Sequence, residues 1–494
     1  MPDYPVVIVG AGPVGLFLAG ELQLAGVETV ILEQRLERGP HSRAGNVNSR
    51  TLEILDSRGM VEPFLDEGVP TPALHFAGVR LTAEQLITRF PHSLMLSQRR
   101  SEEFLEAAAV DRGARLIRGS RVLSLTPHAD GVRVVAEADG TTTEFEAQWV
   151  VGCDGTRSTV RGAAGIGFEG MESTVTTMLG EVTLDAPPQE QIVTLHNGEG
   201  VTLTIGWPDG THRVVRIDPR RADIPKEEPV TLEELADSVR RAAGSDWGMR
   251  DATWLARTGN ASRLASTYRK GRVLLAGDSA HMHSAMAGQG MNTGLADAFN
   301  LGWKLAGVIT GQVSEVLLDT YDLERRPVGA ALIHNTRAQH AIAVNPTLEG
   351  EALRELIEGL VTSHPTVHRE LAATVSGLVV HYPHGVDSHP LVGSRMPDID
   401  LADRTATGRP RRIFEALRDG RFVVVLNGGA AGTPPGDFKG CRVVEALDGP
   451  ETWGGAGADL AIVRPDGYVA WAGRTADAPA SWQAALPNLL AVAE

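Results

Sequence analysis

Apolar positions along the chain follow three rhythms. Continuous, largely β-branched runs at residues 6–9, 29–32, 149–152 and 273–276 show no polar alternation, which predicts strands buried on both faces of a parallel sheet. Apolar spacing of helical period follows at residues 13–25, 50–58 and 101–111, the last with Ser101, Glu102 and Glu103 as capping material, and in a long helix entered near Gly290, Met291 and Asn292. Short alternating runs at 121–125, 132–136 and 142–147 predict an antiparallel meander laid over the first sheet. Further runs at 191–195, 200–207 and 211–217 predict a separate antiparallel sheet with one clear helix, 231–242. Strands at 422–426, 442–446 and 459–463 form a last group.

The buried runs end on residues with chemical consequences. The first is followed by Gly10-Ala11-Gly12-Pro13-Val14-Gly15 and then a helix, and the second ends at Glu33. In such a unit Gly10 makes the tight turn, Gly12 lets the backbone approach a pyrophosphate, and Gly15 lets helix and strand pack closely, while Glu33 accepts hydrogen bonds from a ribose. The third run delivers Asp154 and the fourth Asp278, both at strand ends, where open α/β sheets bind ligands. A carboxylate at 278 suits ligand hydroxyls, and the helix start near 290 suits a group that becomes negative during a reaction. Cys153 reads as a small apolar filler. Arg43 and Arg50 read by default as surface charges, with phosphate or flavin the alternative for Arg43, and Gln98 as a polar residue ahead of a helix. His281 and His283 lack a partner constellation at useful spacing and read as structural.

Composition narrows the class. A chain of 494 residues with 42% hydrophobic content has room for two to four domains. A net charge of −16 argues against nucleic acid or an anionic membrane surface as partner. Cys153 and Cys441 are the only cysteines, so no disulfide framework is expected, and a cytoplasmic location is the natural one. The apolar start lacks a basic n-region, and no apolar run long enough for a membrane span occurs elsewhere.

Three separated motifs carry a family resemblance: GAGPVG with Glu33, CDGTRSTVR at 153–161, and GDSAHMHSAMAGQGMNTGLADAFNLGWKL at 277–305. With them the chain resembles the group A, single-component FAD-dependent aromatic hydroxylases, and within these the polyketide hydroxylases of angucycline, anthracycline and tetracycline scaffolds. The similarity extends through 388–397 and 463–473. It implies an α/β fold with a Rossmann-like FAD-binding domain (1–75, 98–177, 266–392), a β-sheet substrate domain (76–97, 178–265) and a thioredoxin-like C-terminal domain (393–494). It also implies that Gly10, Ala11, Gly12, Pro13, Val14, Gly15, Glu33, Gln34 and Arg35 bind the ADP half of FAD. Arg43 and Gln98 would contact phosphate and ribityl regions, Asp154 the pyrophosphate region, and Asp278 the ribityl chain. Gly288, Gln289, Gly290, Met291 and Asn292 would lie along the isoalloxazine edge. The implied reaction is hydride transfer from NADPH or NADH, O2 addition to give a C4a-hydroperoxyflavin, and oxygen transfer to a polycyclic phenol in secondary metabolism, by a monomer or homodimer without a metal.

This chain departs from the family pattern in two places. Ser284, Ala285, Met286 and Ala287 stand where a proline and a first glycine are usual, and Gly45-Asn46-Val47-Asn48 replaces a more apolar run. The flavin-loop residues Ser284, Ala285 and Met286 are therefore the candidates for setting the chemistry, and no catalytic base is assigned. Baeyer–Villiger insertion, ring cleavage or rearrangement on the same scaffold is the second expectation; a flavoprotein that reduces or binds an aromatic drug-like molecule is the third. The C-terminal part has no C-x-x-C, so no redox role is expected there. The glycine-rich 427–432 segment reads as a loop.

Overall fold

The computed structural model describes residues 3–39, 44–207, 209–284, 286–345, 347–402, 410–427, 438–449, 453, 455 and 457–486. The chain opens with β1 (Tyr4–Val9), α1 (Pro13–Leu24) and β2 (Thr29–Glu33), followed by α2 (Ser49–Asp56) and α3 (Gln98–Asp111). Strands β3 (Arg115–Arg118), β4 (Arg121–His128), β5 (Gly131–Ala138) and β6 (Thr141–Gly152) come next. A second sheet is built from β7 (Thr176–Leu184), β8 (Ile192–Asn197), β9 (Gly200–Gly206), β10 (His212–Ile217) and β11 (Met249–Gly259), with α4 (Leu232–Ala243) between the last two. Strand β12 (Val273–Leu275) then leads through α5 (Gln289–Ile309) to α6 (Asp319–Val344), α7 (Leu348–Ser363) and α8 (Pro365–Val375). The C-terminal sheet contains β13 (Val423–Leu426), β14 (Arg442–Glu445), β15 (Leu460–Val463) and β16 (Val469–Gly473).

The first sheet runs β12-β6-β1-β2-β3 with all five strands parallel, and β5 and β4 extend it as an antiparallel meander from the first half of β6. Its central strands are apolar because both faces are covered: Val6, Val7, Ile8, Val150 and Val151 are fully buried. This arrangement brings the ends of β1, β2, β6 and β12 to one edge of the sheet. The second sheet has the order β8-β9-β10-β7-β11, antiparallel throughout. Helix α4 covers one of its faces, packing Leu235 and Val239 against Met178, Val182 and Val214. The C-terminal sheet has the order β14-β13-β15-β16, parallel between β13 and β14 and antiparallel elsewhere, a strand pattern that fits the thioredoxin-like topology.

Two local expectations are corrected. Helix α3 begins at Gln98 rather than Ser101, because Ser97 is its N-cap and accepts from the Arg100 amide. Arg50 is not a surface charge: it is 5% exposed, pairs with Glu53 at 3.0 Å, donates to the Asp466 carbonyl at 3.1 Å and lies over the Tyr468 ring. The 427–432 loop lies largely outside the described residues.

Helix α5 explains how the C-terminal sheet is attached. Asp297, Asn300 and Lys304 stand at i, i+3 and i+7, so they share one face of an otherwise apolar helix, and all are buried. Lys304 Nζ donates to Glu324 at 2.8 Å, and Arg464 holds the same carboxylate through Nη1 at 2.7 Å and Nη2 at 2.9 Å. Arg464 also donates to Asp466, and Asn300 donates to both Glu324 and Asp466. Two cations and two anions thus neutralise one another in a buried site, the arrangement in which loss of a single member is costly. A second tie is Arg58, which grips Glu21 and donates to the carbonyls of Leu417 and Pro465.

Burial alone would raise the Glu324 carboxyl, but Arg464 and Lys304 hold it down to about 2, below its ordinary 4.5. Its contribution is therefore present above about pH 4.5 and is lost as pH falls toward 2. Burial lowers Lys304 to about 8 despite Glu324, so between pH 8 and 10.5 the unfolded chain binds the extra proton and this group makes stability rise with pH. Glu324→Gln leaves Lys304 and Arg464 short of a counter-charge and is expected to lower stability by about 3–5 kcal/mol at pH 7. Urea unfolding at a series of pH values checks it, with the gap to the native chain narrowing below pH 4.5.

Candidate active site

The edge formed by the strand ends is a cavity of about 880 Å³ lined by Gly10, Gly12, Glu33, Arg35, Gln98 and Asp154, among others. Gly10 has φ +105°, and a Cβ there would stand 2.4 Å from the Cys153 carbonyl oxygen, so only glycine fits the turn. A Cβ on Gly15 would meet the Gly10 carbonyl at 2.1 Å, which is the close helix–strand approach. Gly12 differs: it is the N-cap of α1, has no side-chain cap, and a Cβ there would meet nothing within 4 Å. Pro13 occupies the first helical position, where its missing N–H costs nothing. The α1 start therefore presents open backbone to the cavity.

Around that opening the side chains are braced. Glu33 accepts from the Ala11 amide at 2.8 Å and the Arg35 amide at 2.9 Å, which fixes its carboxylate at the rim; Gln34 lies beside it on the same wall. Asp154 accepts from the Val160 amide at 3.1 Å through Oδ2, while Oδ1 is buried without a partner among the described residues. Burial raises this carboxyl above its ordinary value. Gln98 receives the Ala44 amide at 3.0 Å and donates to Glu102 at 2.7 Å, so it ties the loop at 44–48 to α3. Cys153 is wedged beneath Gly10 and Gly15, and burial pushes its thiol well above the ordinary value, which makes it inert.

The second half of the site begins where Val14 touches both Gly277 and Gly294. Asp278 is exposed on a single tight turn after β12. Asp297, inside α5, holds that turn: it accepts from the Gly277 amide at 3.1 Å, lies 2.7 Å from His281 Nε2, and receives Arg325 Nε at 2.7 Å. Neither Asp297 nor Arg325 stood out in the sequence; the available signal was the polar spacing 297, 300, 304 within an apolar helix.

Helix α5 starts at Gln289 with Gly288 as N-cap, in the left-handed region and without a side-chain cap. No acidic residue occupies its first turn, so the positive end of its dipole is uncompensated. Gly290 packs under His283, whose burial lowers its pKa and keeps the ring neutral. Met291 is 9% exposed. Asn292 donates to the carbonyls of Gly288 at 2.8 Å and Asn46 at 3.0 Å, and accepts from the Asn48 amide at 3.0 Å. Gln289 reaches Asn335 at 3.4 Å. Ser284 is buried, and Met286 packs with Ala287 into an apolar cluster that includes Phe76, Leu81 and Ile342. Arg43 and Ala285 lie outside the described residues.

The face of the second sheet opposite α4 carries Leu179, Leu203, Ile205 and Val215, all partly accessible. Among them Arg213 Nε donates to Glu181 at 2.7 Å, and Trp207 Nε1 donates to the same carboxylate at 2.8 Å. The Trp207 ring fills the place of a Cβ at Gly45, so this face abuts the loop beside the α5 start.

The family model for the FAD binding domain matches residues 3–336, and that for the aromatic-ring hydroxylase C-terminal region matches residues 389–493. The chain belongs to the FAD-dependent aromatic-ring hydroxylases. It is 39% identical over 477 residues to the uncharacterized aromatic compound monooxygenase YhjG of Bacillus subtilis, covering 96% of this chain and 95% of that one. It is 38% identical over 480 residues to rifampicin monooxygenase of Streptomyces venezuelae, covering 95% and 96%. OxyS anhydrotetracycline hydroxylase from Streptomyces rimosus superposes with a TM-score of 0.85 at 37% identity, over 95% of each chain.

This aromatic-ring hydroxylase is an FAD-dependent monooxygenase, with O2 and a reduced nicotinamide as its co-reactants. Its residues fit the cofactor: an open glycine backbone at a helix start, a braced carboxylate at the end of β2 and an orphaned buried acceptor at Asp154. No helix among the described residues is long and apolar enough to cross a membrane. Gly12→Ala adds a methyl to open cavity rather than to packed protein. The apoprotein is expected to melt at an unchanged temperature while its FAD Kd rises about 10-fold or more, read by thermal unfolding and by flavin fluorescence titration.

Proposed function

We propose that this hydroxylase oxygenates a polycyclic aromatic phenol of polyketide type in secondary metabolism, using NADPH or NADH as the reductant. The observation that carries the reading is the apolar, partly accessible face of the second sheet, set beside an uncompensated α5 N-terminus. A flat multi-ring substrate suits the span of Leu179, Leu203, Ile205 and Val215. Relatives named for anhydrotetracycline and rifampicin support this class. The residues divide into the FAD-binding (1–75, 98–177, 266–392), substrate-binding (76–97, 178–265) and C-terminal (393–494) domains. The protein works in the cytoplasm as a monomer or homodimer.

When bound, FAD supplies the hydride acceptance and oxygen activation. The chain's own part is positional. Gly10 to Gly15, Glu33, Gln34, Arg35 and Asp154 would hold the ADP half, Asp278 the ribityl chain, and Gly288 to Asn292 the ring edge. The α5 N-terminus stabilises negative charge on that edge by about 1–2 kcal/mol. The apolar cluster against which Met286 packs would shield the loop before α5 from water.

A second reading is favoured by one observation. Ala287 has φ +53°, a left-handed conformation rare for a residue with a Cβ, in the loop that precedes the α5 start. A strained backbone at that point suits oxygen insertion or rearrangement on the same scaffold.

Incubation with NADPH, 18O2 and a panel of polycyclic phenols is expected to give substrate-stimulated NADPH oxidation and a product carrying one 18O atom. Retention of the ring skeleton by NMR supports hydroxylation, whereas an expanded or opened ring supports the second reading. A chain that takes up no FAD overturns both.

A further inference from the structure

Three asparagines meet at the start of α5, and they are not alike. Asn48 accepts from the Thr51 amide at 2.9 Å, as the N-cap of α2. Asn292 uses both side-chain atoms, in the bonds that join Gly288, Asn46 and Asn48. Asn46 contributes its backbone carbonyl to that lattice, but its side-chain Oδ1 is buried with no partner, and its Nδ2 makes no hydrogen bond among the described residues. Of the three, only the Asn46 side chain makes no hydrogen bond among the described residues.

The backbone around Asn46 is fixed, so the orphan is not a loose end. Ala44 exchanges hydrogen bonds with Gln98 at 3.0 Å each, Gly45 receives the Leu96 amide at 3.3 Å, and Asn46 and Val47 pair with Met95 and Leu94. The Asn46 side chain stands over Gly288: a Cβ on that glycine would lie 3.1 Å from Asn46 Cβ and 3.2 Å from Nδ2. The carboxamide is thus held at the uncapped first turn of α5, where the ring edge of the cofactor is placed.

We propose that the Asn46 side chain is a cofactor contact particular to this chain, reading the imide edge of the isoalloxazine ring. That edge offers an N–H flanked by carbonyl oxygens. A carboxamide is its complement, with Oδ1 accepting from the N–H and Nδ2 donating to a carbonyl. Such a pair satisfies the buried orphan atom and orients the ring against the helix start. This explains why a polar residue stands in a run that is more apolar in the resembling family. The inference rests on the placement of the ring at Gly288–Asn292 in the functional reading above.

The test compares native apoprotein and Asn46→Ala in binding FAD, N3-methyl-FAD and ADP, together with apoprotein melting temperature. Asn46→Ala is expected to weaken FAD binding about 10-fold, the worth of one buried hydrogen bond. It is expected to leave ADP affinity and apoprotein melting unchanged. Native protein should discriminate against N3-methyl-FAD by a similar factor, and Asn46→Ala should not discriminate. Equal FAD affinity in the two proteins, equal loss for ADP, or undiminished discrimination in the variant each overturns the proposal. A lowered apoprotein melting temperature with FAD affinity retained assigns Asn46 to the fold and also overturns it. Native apoprotein that takes up no FAD instead removes the functional reading beneath it.

Discussion

The carboxylate of Asp297 is the constraint on which the site depends. It is fully buried, and burial alone would push its pKa up, yet Arg325 and His281 hold it below the ordinary carboxylate value. One oxygen receives Arg325; the other receives the Gly277 amide and faces His281. The turn that displays Asp278 is therefore clamped to helix α5, which starts at Gln289 with an uncapped first turn. The Asp278 turn and helix α5 are thus positioned relative to each other by a single ionised group. A neutral side chain of the same shape would keep the packing but would lose the charge that draws Arg325 in from α6. Arg325 in turn donates to the Tyr382 hydroxyl and the Thr293 carbonyl, which spreads the clamp to the segment leading into the C-terminal sheet.

The same helix face continues outward through Asn300 and Lys304 to Glu324, Arg464 and Asp466. Helix α5 thus has its uncapped start at Gly288 and its structural anchorage about two and a half to four and a half turns later. The C-terminal sheet is attached by charge rather than by apolar surface alone. Arg412 bridges Asp56 and Asp398, and Arg395 meets Glu53. Such pairs contribute little net stability over apolar packing but make any other docking register leave a charge unpaired. On this view, the absence of C-x-x-C and the abundance of buried arginine pairs belong together: the C-terminal sheet serves as a fixed brace against the back of α2 and α5.

How much of this was legible in the sequence depended on whether the signal was local. The four buried runs, the turn at Gly10 and the carboxylates at 33, 154 and 278 were readable, because strand burial and a glycine turn leave a pattern within a few residues. The start of α3 was misread because Ser101 and Ser97 are equally good caps, and only the Ala44–Gln98 contact, across 54 residues, favours the earlier one. Arg50 looked like a surface charge because nothing near it in sequence announces Asp466 or Tyr468. Asp297, Asn300 and Lys304 passed unnoticed as polar interruptions of an apolar helix, because their partners come from α6 and from a turn more than 150 residues away. Buried charge is a tertiary fact, and one chain read alone shows only half of each pair.

The flavin-loop departure acquires a physical meaning in this setting. A left-handed alanine costs about 1–2 kcal/mol relative to a relaxed backbone, and Ala287 adopts that conformation directly before left-handed Gly288. Something must hold it there. Met286, immediately before it, packs half-buried against the apolar cluster of Phe76, Leu81 and Ile342, and that contact offsets part of the strain. The left-handed backbone before Gly288 is therefore held by side-chain packing rather than by the freedom of a glycine. The consequence is a path of contacts: the cluster that anchors Met286 also includes parts of α6, α8 and the hairpin Ala73–Phe76 with Val79–Thr82. A change in that cluster, outside the cofactor cavity, therefore acts on the α5 start through Met286 and Ala287, whereas in a glycine loop it would be absorbed by the backbone.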